Sequence, residues 1–156
     1  MKKGFFILTL LLVCAVLSFA CNNNNKETEG NTIYLTKAEF LKKVVNYENN
    51  VNEWKYLGEK PAIIDFYADW CGPCRKLSPL LEEIAAEHKD DIIIYKVNVD
   101  KEPDLATAFG IRSLPTLFFV PMQGNPSVVE GFLPKEELYK AINATILKKE
   151  QQAKQQ

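Results

Sequence analysis

In the stretch Asp69-Trp70-Cys71-Gly72-Pro73-Cys74-Arg75-Lys76-Leu77, two cysteines stand three residues apart, just ahead of an apolar pattern of helical period. Side chains at that spacing on a helix are neighbours, about 5–6 Å apart, inside the Cα window that a disulfide tolerates. The pair can therefore open and close with little backbone movement. As a structural staple it would be weak, because the entropic benefit of a cross-link grows with the loop it closes, and this loop is about the shortest available. A zinc centre asks for roughly four N or S ligands. Cys14 and Cys21 belong to the export signal and its junction, and the lone histidine, His88, lies 17 residues beyond Cys71. On one helix that is about 25 Å, which excludes His88 both as a fellow ligand and as a base for Cys71. No metal is expected, and thiol–disulfide exchange remains.

Cys71 stands where the helix begins, and unpaired N–H groups with the positive dipole end stabilise a thiolate there by about 0.3–2 kcal/mol. It is the expected nucleophile. Pro73 suits a first helical turn, where its missing N–H would have had no partner, and Gly72 lets another backbone approach. Cys74, one turn inside, is placed to attack a mixed disulfide from behind and so to resolve it. Asp65 interrupts the apolar run Ala62-Ile63-Ile64-Asp65-Phe66-Tyr67-Ala68 that leads into the pair. A buried carboxylate is costly alone, so Asp65 is expected to be paired or proton-sharing, with a raised pKa that lets it take the Cys74 proton; a strand-end Asp facing water is the alternative. Lys96 is its candidate partner, or else a plain surface lysine.

The elements that must hold these residues follow from pattern. Thr32–Leu35 reads as a short strand, and Thr36 with Glu39 as a capping box ahead of Phe40, Leu41, Val44 and Val45 at helical spacing. Residues 46–60 mix Asn, Gly and charge with scattered aromatics and show no period. Residues 62–68 form a buried central strand, 72–88 a helix kinked at Pro79, and 92–99 another strand. A short helix opens at Pro103 and stops at Gly110; 117–120 and 127–129 form an antiparallel pair; a last helix begins at Pro134 and carries Leu138, Ile142 and Ile146 on one face. The order β-α-β-α-β-α-β-β-α predicts a single α/β domain, a central mixed sheet flanked by helices on both faces.

The chain of 156 residues has a formal net charge of -1 and no dense Lys/Arg run beyond its start, so nucleic acid is not an expected partner. Lys2 and Lys3 precede an apolar run of 16 residues, 5–20, the pattern of an export signal and a little short of the roughly 20 that span a bilayer. Its removal leaves 17 basic against 20 acidic side chains, a net -3. Leu17-Ser18-Phe19-Ala20-Cys21 resembles a bacterial lipobox, with Leu one place early and a bulky Phe19 among the small residues. Lipidation of Cys21 would account for an otherwise odd free thiol in an oxidising compartment. Residues 21–31 read as a polar tether, 32–147 as the domain and 148–156 as a fraying tail. The expected location is extracytoplasmic or periplasmic, with a lipid anchor as the only membrane contact.

Ile64-Asp65-Phe66-Tyr67-Ala68-Asp69-Trp70-Cys71-Gly72-Pro73-Cys74, together with Leu114-Pro115-Thr116 and Gly131, resembles the thioredoxin family over about residues 32–147. The resemblance implies the thioredoxin fold and a cis Pro115 lying against the two sulfurs. It also implies that Leu114 offers backbone hydrogen bonds to an extended substrate segment, much as strand addition works elsewhere. By the same carry-over Trp70, Gly72, Pro73, Leu114, Gly131 and Phe132 form an apolar patch that receives the substrate disulfide. Three positions depart from the family's usual residues: Tyr67 for a frequent Trp, Arg75 for a frequent Lys, and the charge of Glu130 on a rim that is commonly apolar.

Gly-Pro between the cysteines is typical of reducing members, and no histidine lies near the pair. The expected activity is therefore reduction of disulfides in protein substrates, by a monomer that needs no cofactor. Because the compartment lacks a cytosolic electron supply, a membrane electron-donor protein is expected to recharge it. Net oxidation or isomerisation is the second reading, and a thioredoxin-fold binding module with incidental cysteines the third.

Overall fold

The computed structural model describes residues 32–49 and 53–147. The leader, Cys21, the tether and the tail from 148 lie outside the described residues.

The chain opens with β1 (Ile33–Tyr34) and α1 (Lys37–Lys43), then β2 (Ala62–Tyr67), α2 (Gly72–Glu87), β3 (Ile93–Asn98) and α3 (Pro103–Ala108). It closes with β4 (Thr116–Val120), β5 (Ser127–Glu130) and α4 (Lys135–Ile142), which runs on into a π-turn, Asn143–Leu147. The strands form one sheet in the order β1-β3-β2-β4-β5. β1, β3 and β2 are parallel, β4 runs antiparallel to β2, and β5 antiparallel to β4. This is the mixed sheet that the order of elements in the sequence predicted.

Alternation along β2 divides the core. Ala62, Ile64 and Phe66 face a cluster with Phe40 and Val44 at α1 and Leu105 of α3. Ile63 faces the opposite cluster with Leu77, Leu81 and Ile84 of α2 and Leu138 and Ile142 of α4. Successive strand residues point to opposite faces, and a run apolar at both parities is what a strand covered on both sides needs. Asp65 shares the α2 face with Ile63, which is why a carboxylate in this strand ends up under the redox helix.

Local signals set the element ends. The Thr36 hydroxyl accepts from Glu39 N at 3.3 Å and Glu39 Oε2 accepts from Thr36 N at 3.1 Å, completing the capping box. α2 continues through Pro79 to Glu87. α3 starts with Pro103 in its first turn, and Gly110, at φ 61°, takes the left-handed conformation just past its end.

The aperiodic stretch before β2 closes the end of the α1/α3 core. Leu57 N donates to Val44 O at 2.9 Å and Tyr56 Oη to Lys60 O at 2.7 Å. Tyr47 and Trp54 meet Phe109 edge-on, with ring centroids 5.3 and 6.1 Å away. Phe40, Phe66 and Phe118 also pack within 6.1 Å of the same ring. Phe109 is thus the hub of an aromatic cluster at the C-terminal end of α3.

Candidate active site

β2 delivers the chain to the site, and α2 begins there. Cys71 is the N-cap of α2 in extended conformation, its Sγ accepting from Cys74 N at 3.2 Å. A thiolate at that position gains a charge-assisted hydrogen bond and the dipole of a 16-residue helix. Cys71 and Cys74 are joined as a disulfide with Cα atoms 5.3 Å apart, inside the range expected of the spacing. Both residues are only 3% exposed, so exposure alone does not separate them. What separates them is a groove of about 580 Å³: Cys71 lines it and Cys74 does not. An incoming disulfide in the groove therefore meets Cys71 rather than Cys74.

One wall of the groove is Trp70 to Pro73; the other is Ile111 to Leu114, with Ala106 and Thr107 of α3 between them. Trp70 is 69% exposed, and its Nε1 donates to Asp100 Oδ2 at 2.8 Å. Asp100 is itself placed by Asn98 Oδ1, which accepts from Asp100 N at 3.0 Å in the turn after β3. The Leu114–Pro115 peptide is cis. Leu114 packs against the small apolar cluster of Ala68, Cys71 and Cys74. Gly131 N donates to Pro115 O at 2.7 Å, and Gly131 reaches that position at φ 89°. Of the expected patch, Trp70, Gly72, Pro73 and Leu114 come together along the groove. Gly131 is fastened to Pro115 by that hydrogen bond, with Phe132, 42% exposed, next to it.

Asp65 and Lys96 sit side by side in the β2/β3 register, fully buried and 2% exposed respectively. Lys96 Nζ donates to Asp65 Oδ2 and to Ser78 Oγ, each at 3.0 Å, and lies 4.8 Å above the Tyr67 ring. Ser78 is one turn beyond Cys74 on α2, so it ties the ion pair to the helix that carries the second sulfur. Burial raises the Asp65 pKa above the usual carboxylate value; the charge and hydrogen bond of Lys96 pull it down without cancelling the rise. Asp65 Oδ1 meets no donor among the described residues, which leaves it the atom free to take a proton. The surface alternatives for both residues are thereby excluded.

Sequence reasoning missed Ser78, Asp100, Ser113 and Arg112. The first three act through contacts with residues 17 to 30 positions away, which no local pattern announces. Only Ser78, four residues after Cys74 on the same helix face, carried a local signal. Among the described residues no group of three His, Cys, Asp or Glu side chains is placed to hold a metal ion, and no helix is long and apolar enough to cross a membrane.

The thioredoxin family model matches residues 32–144. The chain belongs to the thioredoxin family. It is 48% identical over 104 residues to a thioredoxin of Borreliella burgdorferi, covering 67% of this chain and 88% of that one. A thioredoxin of Alicyclobacillus acidocaldarius is 46% identical over 83 residues, covering 52% and 77%. One of Pyropia yezoensis is 38% identical over 112 residues, covering 72% and 94%. As a thioredoxin-family member with a Cys71–Cys74 pair whose first cysteine lines a groove, the chain is a thiol–disulfide oxidoreductase of the protein-disulfide reductase kind.

Proposed function

We propose that this thioredoxin-family chain works outside the cytosol, held to a membrane by an acyl group on Cys21, and reduces disulfides in protein substrates. The observation that carries the reductive mechanism is the placement of Cys71 as the N-cap of α2, with its sulfur hydrogen-bonded by Cys74 N and the residue on the lining of the groove. In the dithiol form the Cys71 thiolate attacks one sulfur of a substrate disulfide; a Cys71–substrate bond forms and the other substrate sulfur leaves as thiolate. Cys74 loses its proton toward Asp65 and attacks Cys71 Sγ, restoring the Cys71–Cys74 bond and releasing the second substrate thiolate. The substrate gains two electrons and the pair loses two. Gly72-Pro73 between the sulfurs, with no histidine beside them, favours the reducing direction. A membrane protein that supplies electrons recharges the monomer. Membrane attachment rests on the basic start, the apolar run of residues 5–20 and the cysteine that follows it.

Thiol alkylation in intact cells reads the state of the pair. A mostly reduced pair supports the reductase, and a mostly oxidised one overturns it in favour of net oxidation. Cys74→Ser should retain substrates covalently and Cys71→Ser should retain none; normal function of Cys71→Ser would point to a binding module. Incorporation of labelled fatty acid, lost in Cys21→Ala, checks the anchor.

A further inference from the structure

Glu130 ends β5 opposite Thr116 of β4, and the next residue, Gly131, is tied to the carbonyl of cis Pro115. An exposed carboxylate therefore stands beside the backbone edge on which a substrate segment is expected to dock. It is not left to wander: Glu130 Oε2 accepts from Ser113 Oγ at 2.6 Å, and Ser113 lines the groove immediately before Leu114. The hydrogen bond engages one oxygen of a side chain that is otherwise exposed. Among the described residues no cation of this chain forms an ion pair with Glu130; Arg112, which lines the groove, is exposed and forms no ion pair either.

We propose that Glu130 is a specificity residue, which favours disulfide substrates carrying a Lys or Arg beside the attacked cysteine. A segment paired with Leu114 partly removes Glu130 from water, so a neighbouring cation restores what the carboxylate loses, whereas an acidic neighbour adds repulsion. Because Ser113 already holds the side chain, less rotamer freedom is lost when the pair forms. An exposed ion pair changes binding by about 1.5- to 5-fold, and salt screens it. The inference rests on the reductase reading above.

The test uses the reduced protein and three peptide disulfides that are identical except for Lys, Ala or Glu next to the cysteine. The parent should reduce them in the order Lys, Ala, Glu, each step about 1.5- to 5-fold in kcat/KM and carried by KM, with the spread shrinking at high salt. Glu130→Gln should collapse the spread, Glu130→Lys should invert it, and Ser113→Ala should narrow it. An equal rate for all three peptides, or the same spread in Glu130→Gln, overturns the proposal while leaving the reductase reading intact. Failure of the parent to reduce any of the three overturns both.

Discussion

Replacing Asp65 by Asn should stabilise the oxidised protein near neutral pH and leave it nearly unchanged in acid. Asp65 is fully buried, its Oδ1 meets no donor, and Lys96 answers only Oδ2. Burial lifts its pKa above the ordinary value of 3.8, and Lys96 offsets only part of that rise. A carboxyl whose folded pKa exceeds its unfolded one binds its proton more tightly when folded. Its contribution to stability is therefore greatest below the unfolded value and is lost as pH climbs toward the folded value. Asn keeps the shape of the protonated acid and cannot ionise, so it escapes that loss. Each pH unit by which burial lifts the folded pKa above the unfolded one costs the ionised form about 1.4 kcal/mol at pH 7, and the variant escapes that cost. With a urea dependence of about 1–3 kcal/mol per molar for a domain of this size, the unfolding midpoint should rise by roughly 1 M for each such unit. Repeating the urea titration below pH 3.8, the ordinary carboxyl value, should bring the two proteins together. A variant less stable than the parent at pH 7, or a gain that persists unchanged in acid, refutes the argument that burial outweighs Lys96. The same variant should release substrate from the Cys71 mixed disulfide more slowly by about 10² or more, since a positioned general base contributes about 10²–10⁴.

Two further substitutions separate core from site. Phe109→Ala removes a half-buried ring on which five others converge, and should lower stability by about 3 kcal/mol, the lower end for a core Phe, read by denaturant unfolding. Gly131→Ala meets no steric obstacle but must hold φ at 89°, so it should lose about 1–2 kcal/mol by conformational strain alone, read as a fall in Tm.

The redox pair was legible because its chemistry is local. The spacing of Cys71 and Cys74, the helix start and the capping box at Thr36 are each written within a few residues, and the element order followed from period changes along the chain. The Asp65–Lys96 pair was half legible: a carboxylate inside an apolar run demands a partner, but only the parallel β2/β3 register selects Lys96. The closing segment of Trp54 and Tyr56 was not, since Trp54 answers to the position of Phe109 and Tyr56 to the Lys60 carbonyl rather than to any period of their own. Nor was the π-turn after Ile142, which continues a helical pattern without altering its apolar face. The fastening of Trp70 by Asp100, and of Glu130 by Ser113, joins residues 30 and 17 apart and waits on the folded sheet.

The groove wall Ile111–Leu114 has no regular structure, yet it is fixed at both ends, by Phe109 in the aromatic cluster and by β4 in the sheet. The sulfurs, by contrast, hang from β2 and α2. Part of the recognising surface, Leu114, Gly131 and Phe132, thus descends from stretches other than the one that carries the sulfurs, and joins it where Leu114 packs on Cys71 and Cys74. Substitutions along the wall or on β5 can retune which proteins are accepted while the sulfur chemistry stays as it is, so one exchange reaction can be handed to new clients by changing a strap.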